Sequence, residues 1–122
     1  MRNEATVQTG ELILQNVYNR KVYRAVVSQE LVKTTPEWNE REGNPPLSAR
    51  RAIEIARTAL VKQGWYEFDV RNLTKNPSVT LTLFEVKNRW IYVVNFSFPN
   101  HGNRFQVPVL MDGVVPPFSE AP

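Results

Sequence analysis

One strong helix signal, over residues 49–63, limits which folds this chain can adopt. Pro45 and Pro46 precede it, and Ser48 stands where a side-chain oxygen can accept a backbone N–H of the first turn. Gly64 follows as a helix stop. Between the caps, apolar residues recur at spacings of three and four, as on one face of an amphipathic helix: Ala52, Ile53, Ala56, Ala59 and Leu60. The pattern predicts a helix roughly 22 Å long, enough to cross an open sheet.

The strongest strand signal lies in residues 89–98, where the side chains alternate in character. One face would carry Trp90, Tyr92, Val94, Phe96 and Phe98, and the other Arg89, Ile91, Val93, Asn95 and Ser97. Because the first set is aromatic or β-branched throughout, we expect it to form the floor on which the helix packs.

Further stretches rich in β-branched and aromatic residues predict more strands. Residues 11–18 and 21–32 flank Asn19-Arg20, which suits a tight hairpin turn because Asn tolerates positive φ. Alternating stretches after the helix predict strands at 66–73, 79–86 and 105–111. The pair Asp112-Gly113 then predicts another tight turn.

These elements follow one another in the order β-β-α-β-β-β, where the stretches 66–73 and 79–86 count as one strand split by a bend. No βαβ alternation is present, so the expected fold class is α+β, with a single helix packed on one face of one curved antiparallel sheet. Residues 10–117 are expected to form one domain, residues 1–9 a flexible N-terminal segment and residues 118–122 a C-terminal tail. The loop 34–44 has no periodicity, and its Trp38 is expected to fold back onto the edge of the core.

Composition excludes several classes of site. The 122 residues include 15 basic and 12 acidic side chains, a net charge of +3 that is too small to indicate nucleic-acid binding. The chain has no cysteine, which rules out disulfides, thiolate zinc sites and thiol nucleophiles.

No apolar run reaches the ~18 residues of a membrane-spanning helix, and the start of the chain lacks the apolar core of a signal peptide. We expect no membrane insertion. Localisation is left open, with an exported or envelope-associated protein favoured if a signal peptide has been removed.

Residues 46–117 resemble the PepSY-type domains of bacteria. The resemblance rests on the helix start LSARRAIEIA at 47–56, the central strand RWIYVV at 89–94, and the closing strand and turn RFQVPVLMDGVV at 104–115. It implies a small non-catalytic module, exported or envelope-associated, that binds or restrains protein partners such as peptidases. No catalytic residue is carried over, because the family has none.

A helix laid across a curved antiparallel sheet is also the cystatin-like architecture. Residues 15–19, Gln-Asn-Val-Tyr-Asn, resemble the Gln-x-Val-x-Gly wedge of cystatins. In that family the motif follows the helix, whereas here it precedes the helix. The second resemblance therefore implies a shared architecture, with inhibition as the less favoured expectation.

The sequence offers little for catalysis. His101 is the one histidine, so a general base or metal ligand there would have no second histidine or cysteine beside it. The acidic residues Glu67, Asp69, Glu85 and Asp112 are scattered and do not predict a carboxylate pair. No glycine-rich phosphate loop or nucleophile elbow is present. We therefore predict a protein that is not an enzyme and binds no cofactor or metal.

Basic residues give two further interpretations. Arg50 and Arg51 stand in the first helical turn, where cations oppose the helix dipole. They mark either a site for an anion or acidic partner, or an ordinary solvated face. Three predicted strands carry arginines that could bind nucleic acid: Arg71, Arg89 and Arg104. Acidic residues are interleaved with them, so we expect no nucleic-acid partner: Glu67, Asp69 and Glu85.

The function predicted from the sequence is a non-catalytic bacterial interaction module that contacts a protein partner through its exposed sheet face or its loops. The residues expected to contribute are Arg50, Arg51, Trp38 and His101. The alternative is a cone-shaped α+β fold that binds a small molecule, or acts as a weak enzyme, in a cavity between helix and sheet. The specific partner and the oligomeric state are not predicted.

Overall fold

The computed structural model describes residues 4–7, 11–18, 20–63, 77–84, 89–97 and 104–120. Its elements in chain order are β1 (Glu4–Val7), β2 (Glu11–Tyr18), β3 (Lys21–Ser28), α1 (Gln29–Val32), a 3-10 turn (Glu40–Glu42), α2 (Ala49–Lys62), β4 (Ser78–Phe84), β5 (Arg89–Ser97), β6 (Arg104–Leu110) and β7 (Ser119–Glu120). The predicted strand at 66–73 and the loop that holds His101 lie outside the described residues.

The prediction of one curved antiparallel sheet is wrong, because the strands form two sheets. A four-stranded sheet has the order β1-β4-β5-β6, and a three-stranded sheet has the order β2-β3-β7. The first sheet is mixed, since β1 runs parallel to β4 whereas the other neighbours are antiparallel. Alternation within a strand shows which residues share a face, but it does not say which strand lies alongside.

The predicted helix is present and begins at its predicted cap. The side chain of Ser48 accepts the backbone N–H of Arg51 at 3.1 Å, and α2 continues to Lys62. Its apolar stripe buries Ala52, Ala56 and Leu60. The small side chains of Ala52 and Ala56 let the helix lie close to both β5 and β6.

The central sheet is covered on both faces. On the face under α2, β5 and β6 bury seven side chains in one core: Trp90, Tyr92, Val94, Phe96, Phe105, Val107 and Val109. On the other face, Ile91, Val93 and Leu110 form a second core with side chains from the hairpin and α1: Leu14, Val27 and Val32. The second sheet therefore lies where the sequence predicted an open face.

Several local features differ from or refine the sequence prediction. The predicted strand 21–32 ends at Ser28, whose side chain caps α1 by accepting the N–H of Leu31 at 3.2 Å. Glu4–Val7, within the segment expected to be flexible, forms β1. Near the other end of the chain, Phe118 is buried and Ser119–Glu120 pairs with β3.

Candidate functional site

The outer face of the β2–β3 hairpin carries exposed aliphatic side chains in a regular pattern. Successive side chains along a strand point to opposite faces, and Leu14, Ala25 and Val27 point into the core. The aliphatic side chains on the opposite face are much more exposed: Ile13 52%, Val17 49%, Val22 36% and Val26 42%. We call the outward side chains of this hairpin the hairpin face: Ile13, Gln15, Val17, Val22, Arg24 and Val26.

The strand register arranges the hairpin face in three cross-strand pairs. Ile13 lies opposite Val26, and Val17 lies opposite Val22. Between these two aliphatic pairs, Gln15 lies opposite Arg24. The surface is therefore a sheet face with two apolar patches and a polar row between them, which differs from the scattered single aliphatic residues of an ordinary surface.

β2 is also an edge strand. The three-stranded sheet has the order β2-β3-β7, and in the described part of the chain no strand pairs with the other side of β2. Tyr18 pairs with Lys21 next to the turn, where Arg20 has a φ of 65°. In such a hairpin the closing pair exchanges both hydrogen bonds and the pairs then alternate, so the backbone groups of Ile13, Gln15 and Val17 point away from β3.

Asn16 fixes the hairpin on the central sheet. Its Nδ2 donates to the backbone carbonyl of Gln106 at 2.9 Å, and its Oδ1 accepts the backbone N–H of Gln106 at 2.8 Å. Gln106 lies in β6, the edge strand of the central sheet. One buried amide thus supplies hydrogen-bond partners for the N–H and C=O of Gln106 at the strand edge. The side of β2 that carries Asn16 faces the core, so the hairpin face points outward.

The charges of the hairpin differ between its two ends. Arg20 and Lys21 stand exposed at the turn, and Lys21 forms an exposed ion pair with Glu120 at 3.7 Å. Glu11 is exposed at the other end of β2. The hairpin is therefore basic at its turn and acidic at the start of β2.

Two concave sites lie beside α2. A groove of about 460 Å³ runs between α2 and the segment 113–118, with Arg51 and Lys62 among its polar lining and Ile55, Val115 and Phe118 among its apolar lining. A hollow of about 420 Å³ lies at the start of the helix: Asn44, Pro45, Ser48, Ala49, Val79, Leu81 and Tyr92. Both sites are open to solvent at the sides of the helix, whereas the layer between α2 and β5 is filled by buried side chains.

Tyr92 is a polar side chain buried under the start of α2, where it is 2% exposed. Its hydroxyl donates to the backbone carbonyl of Leu47 at 2.6 Å. Burial removes the phenol from water and raises its pKa above the ordinary value of 10.0. Tyr92 thus stays neutral at physiological pH and connects β5 to the chain entering α2.

Of the predicted site residues that the structure describes, Arg50 and Arg51 lie on the surface, whereas Trp38 lies in the core. Arg50 and Arg51 are exposed on α2, and the Arg51 guanidinium donates to Glu54 at 2.9 Å within the same helix. Trp38 is only 7% exposed and packs edge-on against Trp90, with ring centroids 5.5 Å apart. As predicted, the Trp38 side chain folds back onto the core. His101 lies outside the described residues.

Sequence reasoning missed the hairpin face, although β2 contained a signal for it. Leu12, Ile13 and Leu14 are consecutive, so whichever face of the strand is buried, an aliphatic residue remains on the other. On propensity alone, this run predicts a strand and not an exposed surface. Which face stays uncovered depends on the docking of the hairpin through Asn16, which is a tertiary contact.

Comparison with known proteins supplies no family. The chain matches no protein-family model, no curated protein and no solved structure. The resemblances to PepSY-type and cystatin-like domains therefore stay predictions. Within the described ranges, no cluster of three or more His, Asp or Glu side chains could hold a metal ion. None of the helices described is long and apolar enough to cross a bilayer.

Proposed function

We propose that this chain is a non-catalytic protein-binding module and that the hairpin face is its binding surface. The observation that carries the proposal is the pairing of four exposed aliphatic side chains on one side of the β2–β3 hairpin. The PepSY-type resemblance, which implies a non-catalytic module with protein partners, agrees with this proposal.

The exposed aliphatic surface can supply useful binding energy. Burying a Val or Ile side chain completely gives about 1.5–3 kcal/mol. The four side chains are each about half exposed, so covering them would give roughly 3–6 kcal/mol before the cost of association. That binding free energy suits a transient or moderate interaction. A tighter complex would need additional hydrogen bonds.

The shape of the surface favours a polypeptide partner over a small molecule. Small-molecule sites are concave, whereas the hairpin face is the outer side of a sheet. The edge of β2, which no described strand pairs, offers backbone hydrogen bonds at Ile13, Gln15 and Val17, and an extended segment of a partner can use them by strand addition. Backbone bonds then add affinity, and the aliphatic pairs add selectivity.

The test uses a photo-reactive residue placed at Val17 in the full chain. Its matched control is Val61, a valine of α2 that is 47% exposed. We expect specific protein crosslinks from position 17 and none above background from position 61. The variant Ile13→Lys/Val26→Lys should abolish these crosslinks while its circular dichroism matches the parent protein.

Equal crosslinking from the two positions would contradict the proposal. So would unchanged crosslinking from position 17 in the double-lysine variant, because two cations would then occupy the surface that the partner is said to cover.

A second candidate function is the binding of an amphipathic anion in the groove beside α2. The observation that favours it is the combination of a volume of about 460 Å³, an apolar wall and two cations, Arg51 and Lys62. Decanoate should then raise the midpoint of thermal unfolding, and Lys62→Gln should reduce that shift. An equal shift with decanol would show that charge plays no part and would contradict this candidate.

A further inference from the structure

We infer that the strand added to β2 is β2 of a second copy of this chain, paired antiparallel about a twofold axis at Gln15. This inference rests on the proposed function, because it names the partner that the hairpin face and its free edge would bind. It makes the chain a homodimer with a six-stranded sheet across the interface.

The backbone of β2 allows this pairing. Ile13, Gln15 and Val17 direct their N–H and C=O groups away from β3, so they can form hydrogen-bonded pairs with a neighbouring strand. An antiparallel strand identical to β2 presents the same three residues. A pairing centred on Gln15 joins Ile13 to Val17 of the second copy, Gln15 to Gln15, and Val17 to Ile13.

Side chains select this register over its neighbours. Shifting the pairing so that Ile13 faces Gln15 of the second copy puts an aliphatic residue opposite an amide. The register centred on Gln15 instead continues each aliphatic pair across the axis. One row then reads Val26, Ile13, Val17 of the second copy and Val22 of the second copy, because each copy already pairs Ile13 with Val26 and Val17 with Val22.

The polar groups are also self-complementary. The central row becomes Arg24, Gln15, Gln15 and Arg24, so the two amides meet at the axis and the two guanidinium groups lie at its outer ends.

The sequence of β2 lacks the features that usually protect an edge. Edge strands are commonly blunted by lysine, proline or a bulge. Residues 11–18, Glu-Leu-Ile-Leu-Gln-Asn-Val-Tyr, contain neither lysine nor proline, and the eight pairs with β3 run without a bulge. A long, regular, weakly charged edge suits pairing with a strand of the same kind.

The absence of cysteine makes a direct test possible. Gln15→Cys would place two thiols opposite each other at the axis, within the ~5.5 Å between paired Cα atoms that a disulfide can span. The matched control is Arg24→Cys on the same face but one strand further out, where the two positions would be roughly 14 Å apart. We expect a disulfide-linked dimer from Gln15→Cys under mild oxidation and none from Arg24→Cys.

Light scattering on the untreated parent protein gives an independent measurement. The mass should rise with concentration from 14.1 kDa toward twice that value. Val17→Lys should weaken the dimer by at least about tenfold, because it sets a cation opposite Ile13 of the second copy. Val61→Lys should leave the dimer unchanged.

Equal disulfide formation in the two cysteine variants, or a mass of 14.1 kDa at every concentration, would overturn the inference. If such a monomer still forms crosslinks from position 17 to another protein, the proposed function stands and the partner is a different strand. If hairpin-face variants alter neither self-association nor crosslinking, both proposals fail.

Discussion

The side-chain amide of Asn16 takes the place of a neighbouring strand at the edge of β6, where it binds both backbone groups of Gln106. The two hydrogen bonds measure 2.9 and 2.8 Å and join residues 90 positions apart. Pro108, two residues further along β6, has its nitrogen on the same edge and needs no donor there. This contact joins the hairpin to the edge of the central sheet and acts together with the apolar core that the two sheets share.

Replacing Asn16 should be costly. Asn16→Leu keeps a similar volume but leaves the N–H and C=O of Gln106 without partners, and we expect a loss of about 2–4 kcal/mol in the free energy of unfolding. Asn16→Asp keeps the acceptor for the N–H but sets a carboxylate against the carbonyl, so it should also destabilise. Urea denaturation measures both. A loss below about 0.5 kcal/mol in both variants would show that the contact contributes little.

The packing of α2 on the central sheet predicts a large effect at Ala56. This residue is fully buried, so Ala56→Asp introduces an unpaired charge into the core and should cost about 3–5 kcal/mol. Thr58→Asp, on the exposed side of the same helix, controls for helix propensity and should cost far less. Equal midpoints of thermal unfolding for the two variants would contradict the packing.

Gly43 should tolerate no side chain. Its φ of 89° and ψ of −129° are accessible to glycine and strained for other residues, although a Cβ there would meet no atom within 4 Å. Gly43→Ala should therefore cost about 1–3 kcal/mol through backbone strain alone. Asn44→Ala is the neighbouring control.

Tryptophan fluorescence provides a second measurement for Gly43. The carbonyl of this residue accepts a hydrogen bond from Trp38 Nε1 at 3.2 Å. A shifted turn should loosen Trp38 from Trp90 and move the emission to longer wavelength. Unchanged stability and emission in Gly43→Ala would show that the turn can relax without strain.

Tyr92 should make stability depend on pH in alkali. Burial raises the pKa of its phenol above 10.0 in the folded protein. Below the pKa of the unfolded chain, the phenol is neutral in both states and contributes its full stabilisation. As pH rises further, the unfolded chain loses the proton first, so the free energy of unfolding falls until the folded pKa is reached.

Tyr92→Phe separates this effect from the titration of other groups. At neutral pH the variant should be less stable by about 1 kcal/mol, because the carbonyl of Leu47 loses its donor. As pH rises above about 10.0, the parent protein should lose stability more steeply than the variant. Parallel pH profiles would mean that the phenol is equally solvated in the two states.

Local signals gave the correct helix and hairpin. Ser48 caps α2 through a bond to a residue three positions away, and the spacing of Ala52, Ala56 and Leu60 needs only helical geometry. The β2–β3 hairpin likewise depends on two neighbouring strands and a short turn. Such features involve residues close in sequence, so the pattern of side chains is sufficient to predict them.

The number of sheets could not be predicted in the same way. The alternation in β5 predicts that Ile91 and Val93 lie on its outer face, yet both side chains are buried under the hairpin and α1. A strand that is apolar on both faces indicates burial on both sides, but it does not identify what covers the second face. The covering residues Leu14 and Val27 lie more than 60 positions earlier in the chain.

The sequence by itself therefore determined where the main helix and the hairpin form and which residues share each face, because those properties depend on short-range geometry. Only the tertiary structure decided which apolar faces are buried. The hydrophobic effect has no direction and favours any cover that removes apolar area from water. The hydrogen bonds of Asn16 to Gln106 have a direction and therefore favour one docking of the hairpin over the others. In that docking the side chains that remain exposed to a partner are Ile13, Val17, Val22 and Val26.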